Sequence, residues 1–225
     1  MKQKLEELGT ELKTVFSGKN NTLDTILPPL IFAILQAVIG LNPAILITLA
    51  VALLIMIWRV THKQSWGYAL SGVLLVAISA MFALFSKSAS SFFLPDLISS
   101  AALLLVAIGS NIIGKPLAAW SSHLTRAWPR NWYWHKQIRP AYTEVTWFWA
   151  LFIALRLLMQ WLLYQNASAV ALAWGNALLG WPVTIAVLVL SYLYGMWRLQ
   201  NLAGPSVDEF EKALPPPWQG QKRGF

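Results

Sequence analysis

The residue in this sequence that most clearly calls for a chemical explanation is Arg156. It interrupts the apolar run WALFIALRLLMQWLLY, residues 149–164. A charged side chain near the middle of a bilayer costs roughly 3 kcal/mol or more unless it meets a partner or water. Gln160 follows four residues later and therefore shares a helical face with Arg156. The pair predicts a polar site inside a membrane.

Two further polar side chains are expected at the same depth, given the spans assigned below. Asp96 lies just inside the start of the fourth apolar segment, and Gln36 lies in the outer half of the first. Depth alone permits an ion pair between Asp96 and Arg156, with Gln36 and Gln160 as neighbours. Two interpretations follow: a substrate or ion site that opens to the outer side, or a buried pair that only locks two spans together.

A second group of polar residues is predicted on the cytoplasmic side. Its members are Asn111, Lys115 and Glu144, which flank a loop rich in tryptophan and cations. Interleaved basic and aromatic residues also occur in RNA-binding proteins. Between two spans they instead predict contact with anionic headgroups, where each cation contributes about 1 kcal/mol, so no nucleic acid is expected. The predicted headgroup contacts are Arg126, Arg130, Trp132, Trp134, Lys136 and Arg139.

Several kinds of chemistry are not expected. The chain has no cysteine, which excludes disulfides, thiolate catalysis and cysteine-ligated metals. His62, His123 and His135 lack a helical metal spacing, so no metal site is predicted. No nucleotide loop, nucleophile elbow or paired-carboxylate motif is present, and no cofactor is predicted. Glu144 is the one candidate acid for an enzyme acting on lipids at the interface.

The composition is that of an integral membrane protein. Hydrophobic residues make up 57% of the chain and charged residues 12%, about half the charged share of a soluble domain. The 13 tryptophans suit the headgroup boundary. The N-terminus mixes acids and bases without an apolar core and cleavage site, so no signal peptide is expected there. The expected fold is an all-α polytopic membrane bundle.

Six spans arranged as three hairpins are predicted. The apolar segments cover about 25–40, 43–58, 66–85, 94–113, 142–164 and 182–197. All 17 lysines and arginines except Lys87 and Arg156 fall at the termini or in alternate loops. The positive-inside rule therefore places both termini in the cytoplasm.

A repeated motif supports the hairpins. Pro43 precedes Trp58-Arg59 by the same spacing as Pro182 precedes Trp197-Arg198. Proline suits the first turn of a helix, and Trp-Arg suits its interfacial end. Residues 167–180, with small residues at every fourth position, either form a re-entrant or interfacial segment or lengthen the sixth span.

Three regions are therefore expected. Residues 1–22 form an amphipathic interfacial helix, since Leu5, Leu8 and Leu12 share one face. Residues 23–200 form the six-helix domain, including a cytoplasmic loop at 114–141. Residues 201–225 form an extended proline-rich tail, which docks a partner or folds back onto the aromatic loop through Trp218 and Phe225.

Three stretches resemble a known family: IIGKPLAAW, VTWFWALFIALRLLMQWLLY and GPSVDEFEKALPPPWQGQKRGF. They are similar to the uncharacterised bacterial membrane group called domain of unknown function 3159, itself distantly similar to septation-protein-A-like membrane proteins. The most recognisable pieces are Arg156 and the turn at residues 114–117, where Lys115 replaces the family's arginine. The resemblance implies a six-span bacterial inner-membrane protein and transfers no catalytic residue.

The leading functional hypothesis is a non-catalytic component in envelope or membrane-complex organisation. Its expected partners are membrane lipids and a protein bound through the proline-rich tail or small-residue helix faces, with homo-oligomers allowed. The alternative is a small transporter or channel with an outward-facing polar site around Arg156. A lipid-acting membrane enzyme is the third hypothesis.

Overall fold

The computed structural model describes residues 22–63, 65–166, 168–221 and 224–225. Within these ranges the chain is helical and contains no β-strand. The predicted amphipathic helix at 1–22 lies outside the described residues, apart from Thr22. The α-helices are α1 Thr22–Ile39, α2 Leu41–Thr61, α3 Trp66–Ser86, α4 Leu94–Ile112, α5 Leu117–Arg126, α6 Arg130–Tyr133, α7 Arg139–Gln165, α8 Ala169–Leu179, α9 Trp181–Asn201 and α10 Val207–Glu211, and a 3₁₀ helix, Ala89–Phe93, precedes α4.

The described chain contains five helices long and apolar enough to cross a membrane. They are Leu41–Thr61, Ala69–Ser86, Ala89–Ile112, Arg139–Gln165 and Ala169–Asn201. These helices indicate a multi-pass membrane protein with an all-α fold. The first of the six predicted spans appears as a shorter apolar helix, Leu27–Ile39, at the start of which Pro28 and Pro29 interrupt the backbone hydrogen bonds.

The helix ends follow local rules. Pro43, Pro95 and Pro182 all lie in first turns, where a missing N–H leaves no bond unmade. The Trp-Arg pairs fall in the last turns of α2 and α9. Trp58 is 43% exposed and Trp197 is 57% exposed, as suits side chains at a lipid boundary.

The chain divides into two compact units. The first contains the described residues of Gly9–Ser100 together with Arg156–Val183, and the second contains Ala101–Leu155 together with Thr184–Phe225. In the first unit α1 packs against α2 and α8, and α2 packs against α3. The rings of Phe32 and Phe92 stack 4.0 Å apart within its core.

The segment at 167–180 forms its own helix. The Ser168 side chain caps α8 by accepting a hydrogen bond from the Ala171 N–H at 3.2 Å. The first unit buries three side chains of α8, which are Ala169, Leu172 and Ala173. The two alanines are small and let α8 approach its neighbours closely. Gly180 then breaks the backbone with φ −70° and ψ −117°, so α8 does not simply extend α9.

A β-carbon at position 180 would collide with the carbonyl oxygen of Asn176, so the break requires glycine. The apolar stretch from Ala169 to Asn201 is therefore a discontinuous helix with its interruption at Gly180.

The second unit has an aromatic core made of Trp132, Tyr133, Tyr142, Ile138 and Leu199, all fully or almost fully buried. The C-terminal segment, residues 202–225, packs against this core through described residues that include Leu202, Val207 and Phe210. Trp132 donates its indole N–H to the Pro205 carbonyl at 2.8 Å. The ring of Phe225 stacks on that of Tyr142 at 4.3 Å.

The predicted extended tail is therefore corrected in one respect, since it contains the short helix α10. Ser206 and Glu209 form a reciprocal capping box at the start of this helix.

Candidate functional site: a polar centre on three helices

Four polar side chains of the first unit form one hydrogen-bonded cluster, called here the polar centre. Asp96 comes from α4, Arg156 and Gln160 from α7, and Asn176 from α8. Gln160 donates one side-chain N–H to Asp96 Oδ2 at 2.7 Å and the other to Asn176 Oδ1 at 2.6 Å. Arg156 Nη2 lies 3.4 Å from the same Asp96 oxygen.

Local features place each member of the centre. Arg156 and Gln160 are one helical turn apart on α7 and so share a face. Asp96 occupies the first turn of α4, where the helix dipole favours a carboxylate. A β-carbon at Gly175 would lie 3.1 Å from the side chains of Met159 and Leu163. Because glycine allows this close approach of α8 to α7, Asn176 reaches Gln160.

The centre is incompletely satisfied. Gln160 is fully buried, whereas the Arg156 and Asp96 side chains keep 23% and 40% exposure. Within the described ranges of the chain, the buried atoms Arg156 Nε and Gln160 Oε1 have no hydrogen-bond partner. Nε and Nη2 form one edge of the guanidinium, which can bind a carboxylate with two parallel bonds. Asp96 contacts only the Nη2 half of that edge, so the Nε donor stays unused. The unused acceptor of the centre is Gln160 Oε1.

Gln36 does not join the polar centre. Its side chain is half-buried on α1, and none of the hydrogen bonds between described residues links it to Asp96, Arg156 or Gln160. The amide neighbour of Gln160 is instead Asn176, which the sequence reasoning missed. A signal was present, because Asn176 is the only amide side chain in 167–180.

A second ion pair lies in the second unit. Glu144 accepts two hydrogen bonds from Arg198, at 2.8 and 2.9 Å, and a third from the Tyr194 hydroxyl at 2.8 Å. A carboxylate held by three donors is poorly placed to take a proton from a substrate. This arrangement does not favour Glu144 as the acid or base of a lipid-acting enzyme.

Asn111 and Lys115 lie where α4 ends. Asn111 donates from its side-chain amide to the Thr143 carbonyl at 3.2 Å. Gly114 follows with φ +76°, a conformation that glycine adopts without strain. The Lys115 side chain is exposed.

The predicted headgroup residues separate into two groups. Trp132 is fully buried, so its assignment to the headgroup region is wrong; its indole is held by the C-terminal segment. Arg126 Nε donates to the Phe225 carbonyl at 3.0 Å, and its guanidinium lies over the Trp128 ring. Trp134 is half-buried. The exposed cations among the predicted headgroup residues are Arg130, Lys136 and Arg139.

Electrostatic effects outside the spans concern Tyr133 and Glu209. Burial raises the pKa of the Tyr133 hydroxyl, although its hydrogen bond with Ser122 acts in the opposite direction. Backbone N–H groups of Gln219 and Ser206 lower the pKa of Glu209. Among the residues that the structure describes, no group of three or more His, Cys, Asp or Glu side chains is arranged to hold a metal.

Comparison with known proteins places the chain in one family. The family described as protein of unknown function (DUF3159) matches residues 16–199. No curated protein and no solved structure matches the chain. The matched region includes all four residues of the polar centre. It also includes α8 and the part of α9 up to Leu199. The chain therefore belongs to the DUF3159 family of proteins of unknown function.

Proposed function

We propose that this protein is a small membrane transporter or channel that binds a polar solute at the polar centre. The observation that carries the proposal is the discontinuous helix formed by α8 and α9, which contributes Asn176 four residues before its break at Gly180. Transporters often build their substrate sites from discontinuous spans, because the interruption frees polar groups within the membrane.

The unused hydrogen-bonding atoms support the same function. Buried polar groups in proteins are nearly always paired. In the polar centre, Arg156 Nε is an unpaired donor and Gln160 Oε1 is an unpaired acceptor. A polar solute that offers an acceptor and a donor would satisfy both groups. Asp96 and Arg156 carry opposite charges, so the polar centre has no formal net charge. A neutral or zwitterionic solute can therefore bind there without leaving an uncompensated charge.

Reconstitution into liposomes tests the proposal. Uptake is measured for a panel containing sodium, potassium, choline, inorganic phosphate, glycine, glutamate and lysine. We expect uptake of at least one solute by the wild type and at least a ten-fold loss in Asp96→Asn. Glu144→Gln is the matched control, since it removes the carboxylate of the other arginine pair. No uptake of any panel member by the wild type, or equal losses in both variants, contradicts the proposal.

The topology proposed with this function has six spans in three hairpins, with both termini in the cytoplasm of a bacterial inner membrane. Leu27–Ile39 serves as the core of the first span. Support comes from the distribution of lysine and arginine. The cysteine-free chain permits single-cysteine labelling. Lys87→Cys should react with an impermeant maleimide in intact cells, whereas Ser65→Cys and Lys212→Cys should react only after permeabilisation.

A second candidate function is a non-catalytic role in membrane-complex organisation. The observation that favours it is Leu124 on α5, a large apolar side chain with 81% exposure on a helix too short and polar to span a membrane. Site-specific crosslinking from the exposed position 121, about one helical turn before Leu124, tests this role in native membranes. A crosslinked partner that is lost in Leu124→Ser supports it, and a chain that never crosslinks contradicts it.

A further inference from the structure

The end of α4 combines an apolar surface with two cations. We propose that Lys115 and Arg139 bind the phosphate of one anionic membrane phospholipid, whose acyl chain lies against Ile112 and Ile113. The site belongs entirely to the second unit and does not depend on the transport function proposed above.

The turn that ends α4 positions Lys115. The Gly114 N–H donates to the Asn111 carbonyl at 3.0 Å, and the Lys115 N–H donates to the Ser110 carbonyl at 2.9 Å. With Gly114 at φ +76°, these bonds close the helix in the manner of a glycine C-cap. The Lys115 side chain, which extends from this turn, is exposed.

Arg139 reaches the same turn from the first residue of α7. Its Nη1 atom lies 3.3 Å from the position that a β-carbon at Gly114 would occupy. The guanidinium therefore lies beside Gly114, one residue from Lys115. Within the part of the chain that the structure describes, neither cation pairs with an acidic side chain. Two adjacent cations without a carboxylate favour an anionic ligand.

The surface next to these cations identifies the ligand as a lipid. Ile112 is 76% exposed and Ile113 is 74% exposed at the end of a membrane-length helix. A nucleic acid has no aliphatic part to cover them, and a phosphopeptide has no aliphatic chain that extends along a membrane-length helix. A phospholipid does, because its acyl chain and its phosphate meet at the same boundary as the isoleucines and the cations.

The other exposed cations of the loop have no exposed apolar side chain next to them in the sequence. Arg130 is followed by Asn131, and Lys136 is followed by Gln137, both exposed polar side chains. They are therefore matched controls, because their neutralisation changes the net charge equally without touching the proposed site.

Native mass spectrometry of the purified full chain provides the test. The protein is titrated with phosphatidylglycerol and, separately, with phosphatidylcholine of the same acyl chains. We expect tighter binding of phosphatidylglycerol to the wild type. Lys115→Gln and Arg139→Gln should each weaken it about five-fold, the effect of one surface cation. Arg130→Gln and Lys136→Gln should change it less than about two-fold.

Further arms decide between a site and its alternatives. Arg139→Lys keeps the charge and should retain most of the binding, while thermal unfolding of each variant shows that it is folded. Equal losses in the site and control variants would overturn the proposal in favour of net charge. Equal binding of the two lipids would overturn it as well. Displacement of phosphatidylglycerol by excess inorganic phosphate would assign the cations to free phosphate instead.

Discussion

The side-chain amide of Gln160 on α7 bridges two other helices, because it donates to Asn176 Oδ1 at 2.6 Å and to Asp96 Oδ2 at 2.7 Å. Gln160 itself is fully buried. The residue therefore fixes the mutual positions of α4, α7 and α8 within the first unit. A leucine of similar volume would fill the same space but would remove the donor to Asn176 Oδ1 and leave Asp96 Oδ2 with the longer contact to Arg156 Nη2 at 3.4 Å.

The first prediction concerns this bridge. Gln160→Leu should lower the free energy of unfolding by about 1–2 kcal/mol, since two part-buried hydrogen bonds are lost. Thermal unfolding in detergent measures the change. Gln36→Leu is the control, because the Gln36 side chain takes no part in the centre, and it should unfold like the wild type. An equal effect of the two substitutions would show that the bridge contributes nothing.

The second prediction concerns the break in the discontinuous helix. Gly180→Ala should destabilise the protein, because the new β-carbon collides with the Asn176 carbonyl oxygen and displaces Asn176 from Gln160. Gly109→Ala is the control. Its β-carbon meets open space near the C-terminal end of α4, and alanine there should be neutral or stabilising by up to about 1 kcal/mol. Comparison of the two melting temperatures checks both expectations.

The third prediction concerns the docking of the C-terminal segment. A β-carbon at Gly195 would overlap the ring of Phe225. Gly195→Ala should therefore displace Phe225 from Tyr142 and expose residues 202–225 to protease. Limited proteolysis with mass spectrometry measures the release. Gly67→Ala, at an open position, should leave the cleavage rate unchanged. Unaltered protection in Gly195→Ala would mean that Phe225 does not hold the segment.

The fourth prediction is a pH dependence of the same segment. The Glu209 carboxylate accepts backbone N–H bonds from Gln219 and Ser206, both at 2.8 Å, and these lower its pKa below 4.5. The stabilisation is therefore present above pH 4.5 and is lost as the pH falls through the lower pKa of the folded state. Protease protection of the segment should decrease over that range.

Glu209→Gln isolates this effect. Glutamine can still form the capping box with Ser206, but it does not titrate. The decrease in protection on acidification should therefore be smaller in the variant than in the wild type. Identical profiles would assign the pH dependence to other groups.

Local spacing was sufficient for several features of the polar centre. Arg156 and Gln160 had to share a helical face, since four residues make about one turn. Asp96 was grouped with them because it lies near the start of an apolar segment, and the structure places it beside Arg156. Gln36 was placed with them for the same reason, yet it stands apart. Depth specifies the level of a side chain but not the direction in which its helix face points.

The loop at 114–141 shows the same difference between what the sequence pattern predicts and what tertiary packing decides. The pattern of tryptophans and cations predicted a lipid boundary, and exposed cations such as Arg139 stay candidates for it. It failed for Trp132, because a residue's burial depends on what packs over it. In this case Pro205, more than seventy positions away along the chain, covers the indole and accepts its hydrogen bond.

The amino-acid sequence by itself determined the membrane class, the helical fold and the approximate limits of most apolar helices. These properties depend on side-chain polarity and on spacings within one helical turn. Only the tertiary structure decided that Asn176 completes the polar centre and that the C-terminal segment covers the aromatic core. Such contacts depend on helix rotation and on close approach at glycines such as Gly175, which no spacing along a single helix specifies.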